Sequence, residues 1–193
     1  MTLDGILPFA RLLIQKTLSD APCFVDATAG NGHDTVFLAG LAGEGGRVFA
    51  FDVQEQAIHN TKKRVAEAGF SNRVSLFHSG HEEVRKHIPD FYHGGINAAV
   101  FNLGYLPKGD KSIITRPDTT IEAIRQLFDM LKPGGLIVLV VYHGHAGGAD
   151  ERNAVVEFAA GLDQQRAHVM QYGFINQVNT PPFIVAIERR PAI

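Results

Sequence analysis

Apolar residues recur at helical spacing from Leu3 to Leu18, with Arg11 and Lys16 set among them, and the pattern stops at "SDAP" around Pro22. The next apolar stretch has no such period. "CFVDAT" is continuously apolar up to its acid, as a parallel strand covered on both faces is, and it predicts a first strand. From there strand and helix alternate. A helix from about Asp34 to Leu41 ends in "GEGG", "RVFAFDV" predicts a second strand ending at Asp52, and "QEQAIHNTKKRVAEAG" a helix closed by Gly69. "RVSLFHS" reads as a third strand, "HEEVRKHI" as a short helix, and "INAAVFNLGYLP" as a fourth strand running into a loop. "PDTTIEAIRQLFDMLKPGG" predicts a capped helix, "LIVLVVYHG" a fifth strand and "ADERNAVVEFAAGL" a further helix. "AHVMQYGFINQ" and "PPFIVAIERR" then predict two strands joined by "VNTP", most simply an antiparallel pair.

Five β-α units followed by a hairpin predict one α/β domain over residues 1–193, a doubly wound, mostly parallel sheet with residues 1–20 as an N-terminal helix. Such sheets bind ligands beyond the carboxyl ends of their strands, so the chemistry is expected in the loops that start at Thr28, Asp52, Ser79, Asn102 and Tyr142.

Composition narrows the picture only a little. With 193 residues, 45% hydrophobic and 20% charged, the chain is neither disordered nor fibrous. Its net charge of −2 means that any nucleic-acid footprint must be local. The lone Cys23 excludes an internal disulfide and fits a reducing compartment. The charged, amphipathic N-terminus is neither a signal peptide nor a membrane span, so a cytoplasmic protein without a membrane partner is expected. The sequence fixes no oligomeric state, and a homodimer is compatible with it.

"DATAGNG", residues 26–32, breaks the first strand with an acid followed by two glycines, and a helix follows. Such turns bind nucleotides, because glycines admit close backbone approach and the helix N-terminus offers free N–H groups. A dinucleotide fingerprint would need a third glycine where Thr35 stands. Asp52 lies about 20 residues further on, where an acid accepts hydrogen bonds from ribose hydroxyls in both NAD and S-adenosylmethionine enzymes. Asp26, the missing glycine, "LKPGGLIVLV" and the terminal hairpin separate the two, and the chain resembles a class I S-adenosylmethionine-dependent methyltransferase.

That resemblance implies a seven-stranded sheet of order 3-2-1-4-5-7-6 and S-adenosyl-L-methionine as cofactor. It implies that Gly30 and Gly32, with Thr28 and Asn31 of the same turn, approach the methionine moiety. Asp26 would orient the turn or the ligand's ammonium, Asp52 would take the ribose hydroxyls, and Gln54, Ser79, Gly80 and His81 would border the adenine.

"FNLGYLPKGDKSIITRPDTT", residues 101–120, occupies the loop where such enzymes place the acceptor. Asn102 resembles the asparagine of the N-P-P-Y motif of enzymes that methylate amino nitrogens, although Leu103 and Gly104, ahead of Tyr105, replace its proline pair. Together "DATAGNG", "NLGYLPKGDKS" and "YHGHAGG" resemble one small family described as "putative rRNA methylases". Its characterised activity converts the tRNA wobble uridine 5-aminomethyl-2-thiouridine to the methylaminomethyl form. The resemblance implies the tRNA anticodon loop as partner.

In that reading Asn102 aims the amine. Tyr142 and His143 frame the uracil or relay a proton, and His145 and Leu103 lie beside it. Tyr105 is placed to stack a splayed base. Lys108, Lys111 and Arg116 suit anticodon-loop phosphates. "KKR" at 62–64 is expected to be a solvated helix face. The two histidines of "HGH" are too few for a zinc site, so no metal is expected. The alternatives are an rRNA or small-amine methyltransferase, an NAD-dependent oxidoreductase, which Thr35 and the asparagine loop disfavour, and a non-catalytic binding module.

Overall fold

A computed structural model of the chain describes residues 2–107, 109 and 112–191. Seven strands form one sheet: β1 (Cys23–Asp26), β2 (Arg47–Asp52), β3 (Val74–His78), β4 (Ile96–Leu103), β5 (Leu131–Val141), β6 (Ala167–Tyr172) and β7 (Phe183–Arg189). Their order is β3-β2-β1-β4-β5-β7-β6, as the family resemblance implied. The first five strands are parallel, and β7 runs antiparallel to both β5 and β6.

Helices cover both faces of the sheet, which explains the unbroken apolar runs of β1, β4 and β5. On one face α1 (Ile6–Gln15) and α2 (His33–Ala42) set Ala10, Ile14, Leu38 and Ala39 against Phe24, Val100 and Val138. On the other, α5 (Pro117–Met130) and α6 (Gly148–Ala160) set Ile124, Leu127, Val155 and Ala159 against Phe101, Leu139 and Val185. Neighbouring residues of one strand, such as Val100 and Phe101, thus serve opposite layers. Of the remaining helices, α3 (Glu55–Glu67) packs beside α2, and α4 (Val84–His87) is a single turn after β3. The edge strand β6 leaves most of its residues exposed.

Two boundaries depart from the sequence expectation. "LKPGG" does not prolong α5: the helix stops at Met130 and Leu131 already pairs with Ile96 at the start of β5. Pro133 has no N–H for a further helical turn and pushes Lys132 toward extended backbone. Gly134, at φ 74°, then takes the irregularity that brings β5 into register with Ala98. The hairpin connection is longer than "VNTP", since β6 ends at Tyr172 and β7 begins at Phe183. Pro181 and Pro182 cannot donate to a ladder, which delays the second strand. No helix among the described residues is long and apolar enough to cross a membrane.

Candidate active site

The loops after β1, β2, β3, β4 and β5 surround one cavity of about 1470 Å³. That exceeds the roughly 300–1,000 Å³ of a site for one small ligand, and leaves room for two reactants side by side.

Its floor is the turn from Ala27 to Gly32. The Ala29 N–H donates to Phe51 O at 2.8 Å and the Gly30 N–H to Asp52 Oδ2 at 2.9 Å, so the turn is fastened to the end of β2. Its outward carbonyls are held by α3, where Thr61 Oγ1 donates to Gly30 O at 3.0 Å and Arg64 Nε to Asn31 O at 2.7 Å. Lys62, Lys63 and Arg64 are exposed, as expected for "KKR", and Arg64 in addition ties α3 to the turn. The other Asp52 oxygen accepts the Gln54 N–H at 2.9 Å. Thr28, Gly30, Asn31, Asp52 and Gln54 all line the cavity.

Two residues expected to meet the ligand stand elsewhere. Asp26 is fully buried and outside the cavity wall. It accepts hydrogen bonds from the Thr28 N–H at 3.2 Å and Thr35 Oγ1 at 2.6 Å, so it orients the turn and not a bound ammonium. Burial, with the charge of Asp34 adding to it, pushes this carboxyl up to about 7. Gly32 is also outside the wall. Its φ is 80°, and a Cβ there would sit 2.9 Å from Thr61 Cα. Gly32 is needed for the close contact with α3, and Gly30 for the floor itself. Gly32→Ala should therefore lower stability by roughly 2 kcal/mol or more through backbone strain and overpacking. In thermal melting it should lose more than Gly30→Ala, whose Cβ meets nothing nearer than 3.5 Å. The reverse ranking would contradict this assignment.

Ser79, Gly80 and His81 border the cavity beyond β3. His81 is buried under the floor, with Nδ1 3.2 Å from Ala27 O, so that Nδ1 carries the proton, and Nε2 has no partner among the described residues. Burial lowers its pKa and keeps the ring neutral.

The other side is built on β4 and β5. Asn102 is fixed twice: its N–H donates to Thr28 Oγ1 at 2.7 Å and its Nδ2 to Asp34 Oδ2 at 2.8 Å. Past Leu103 the loop folds back, Tyr105 bridging to Ile114 and the Thr115 N–H donating to Gly104 O at 2.9 Å. Buried Glu151 of α6 anchors this loop by accepting from Thr115 and Thr120. Tyr142, His143 and His145 close the cavity from β5. The Tyr142 phenol is pushed up by burial and by Asp34, which leaves it a donor and not a base. His143 Nε2 faces Pro181 O at 3.2 Å, and His145 lies edge-on to Tyr105 at 5.5 Å. Tyr105 stands at the rim, not in the core, and Arg116 lines the same rim. Lys108 and Lys111 lie outside the described residues.

The family model described as "Putative rRNA methylase" matches residues 48–188. The chain belongs to this family. It is 35% identical over 188 residues to an Arabidopsis thaliana protein named tRNA (mnm(5)s(2)U34)-methyltransferase, chloroplastic, an alignment that spans 93% of this chain and 68% of that protein. A crystal structure from Clostridium thermocellum described as a "putative rRNA-methylase" superposes with a TM-score of 0.93 at 43% identity, over 98% of this chain and 100% of that one. A Streptococcus mutans protein described as a "putative methyltransferase", solved in complex with SAH, gives 0.87 at 39% identity, over 97% and 99%.

The family member described here is a methyltransferase whose cofactor is S-adenosyl-L-methionine. Its cavity fits that cofactor: Asp52 offers a sugar only acceptors, and Gly30 lines the floor without a side chain of its own. The residues that the sequence did not mark are Arg11, which lines the cavity, Asn60, whose Nδ2 donates to Asn31 Oδ1 at 2.9 Å, Thr61, Arg64, Asp34, Thr115 and Glu151. Asp34 alone carried a signal, an acid in the first turn of a helix that opens from the glycine turn.

Proposed function

We propose that the protein methylates RNA on an amino nitrogen, converting the wobble 5-aminomethyl-2-thiouridine of tRNA to 5-methylaminomethyl-2-thiouridine. The observation that carries this reading is Asn102, which stands in the same cavity as Asp52 and Gly30 with its Nδ2 already committed to Asp34. Its Oδ1 remains to accept a hydrogen bond from an amine. The 35% identical Arabidopsis protein is named for this uridine and supports the choice of base.

The cofactor supplies a methyl group on a sulfonium, open to direct displacement. The chain's residues must then present a neutral amine, since an amine protonated near pH 7 has no lone pair. Asn102 accepts from the free amine and holds it in line, and positioning of this kind contributes most of the rate. Asp52 takes the ribose hydroxyls, Thr28, Gly30 and Asn31 receive the methionine end, and Gln54, Ser79, Gly80 and His81 border the adenine. Tyr105, His143 and His145 frame the uracil, whereas Leu103, expected beside it, is buried in the core and supports the wall from behind.

Lys108, Lys111 and Arg116 meet phosphates of the anticodon loop. Replacing all three by alanine should raise the Michaelis constant for tRNA and flatten the salt slope of log K by about 2, while cofactor affinity stays put. An unchanged slope would place the RNA elsewhere.

The family description favours a second reading, ribosomal RNA. Transfer of labelled methyl to unfractionated tRNA, ribosomal RNA and simple amines separates the readings. Label in tRNA is expected; label confined to ribosomal RNA or to simple amines would overturn the proposal.

A further inference from the structure

The amide of Asn102 can face a ligand with either end, and only one end suits an amine. Oδ1 accepts from the amine and leaves its lone pair free. Nδ2 would donate to that lone pair and mask the nucleophile. Something must choose between two orientations related by a half-turn.

Asp34 is placed to do so. It lies in the first turn of α2 beside the cavity, and Oδ2 is 2.8 Å from Asn102 Nδ2. A carboxylate oxygen can only accept, so this contact admits Nδ2 and excludes Oδ1. The hydrogen bond is charge-assisted, the stronger kind. Asp34 is itself held: Arg11 Nη2 from α1 stands 3.1 Å from its other oxygen, with the guanidinium over the Phe37 ring at 4.8 Å. The start of α2 adds a favourable field for the anion. The Asn102 N–H, bonded to Thr28 Oγ1, fixes the backbone from which the amide hangs.

We propose that Asp34 is a positioning residue for methyl transfer: its carboxylate, clamped by Arg11, turns the Asn102 amide so that Oδ1 faces the amine. The inference rests on the reading that Asn102 aims the acceptor. It adds that the aim is set from α1 and α2, outside the acceptor loop.

The test is a double-mutant cycle on single-turnover methylation of tRNA bearing the aminomethyl uridine, with Asp34→Ala, Asn102→Ala and the double variant. Asp34→Ala should slow transfer about tenfold, the scale of one lost charge-assisted hydrogen bond, with cofactor affinity within a few-fold. In the Asn102→Ala background the same change should cost nothing further. Asp34→Asn, nearly the same shape, has one oxygen for two donors: Arg11 takes it, the amide NH2 then faces Asn102, and the rate should fall at least as far as with alanine; it also serves if the alanine variant folds poorly. Without any ligand, the side-chain amide resonance of Asn102 should shift in Asp34→Ala and exchange faster with water. An undiminished Asp34→Ala effect in the Asn102→Ala background, or a wild-type rate in Asp34→Asn, overturns the positioning role. Wild-type rates in Asn102→Ala alone would refute the aiming role of Asn102, a separate failure.

Discussion

Asn102→Ala should lower the single-turnover rate of methyl transfer by roughly 10²-fold or more while leaving cofactor affinity within a few-fold. The side chain stands at the end of β4 in the cavity wall, with its backbone N–H and its Nδ2 both engaged by the protein. Removing the amide therefore takes away the free oxygen and leaves the strand in place. Asn102→Asp is the informative control. A second carboxylate would stabilise the ammonium form of the amine, raise its pKa and move the pH–rate profile to higher pH. It would also face Asp34 without the donor that now separates them, which adds to the loss. Single-turnover rates across pH check both variants, and a wild-type rate in the alanine variant would move the search to Tyr142 and His143.

Asp52→Ala should weaken S-adenosylmethionine binding by roughly 1.5–3 kcal/mol for a lost charged hydrogen bond, about ten- to a hundred-fold in affinity. One cause is direct: in the proposed assignment the ribose hydroxyls lose their acceptor. The other is structural, since the same carboxylate holds the N–H groups of Gly30 and Gln54 and so keeps the floor turn against β2. Titration calorimetry on a variant with native circular dichroism measures the effect. Unchanged affinity would refute the assignment of Asp52.

The sequence carried the sheet further than it carried the site. Continuous apolar runs marked β1, β4 and β5 because helices cover both faces, and the terminal hairpin was legible in its alternation. "LKPGG" was misleading because Pro133 ends a helix and starts a strand with equal ease. Residues at strand ends, such as Asp52, Asn102 and Tyr142, could be placed from topology alone, for a parallel sheet directs them all to one edge. Asp26 could not, because its carboxylate is turned toward Thr35 on α2 and away from the cavity. Gly32 faces Thr61 for a reason that depends on how closely α2 and α3 approach. Arg11, Arg64 and Glu151 reach the site from helices whose packing angles no local pattern states.

Methyl transfer to the amine of the wobble uridine is tested most directly by mass spectrometry of nucleosides from tRNA treated with the purified protein and S-adenosylmethionine. Two tRNA pools are compared, one bearing 5-aminomethyl-2-thiouridine and one lacking the amine. The account predicts that the aminomethyl nucleoside of the first pool gains one methyl on its nitrogen, and that the second pool gains none. A methyl group on any other base or on ribose, or equal methylation of both pools, would contradict it.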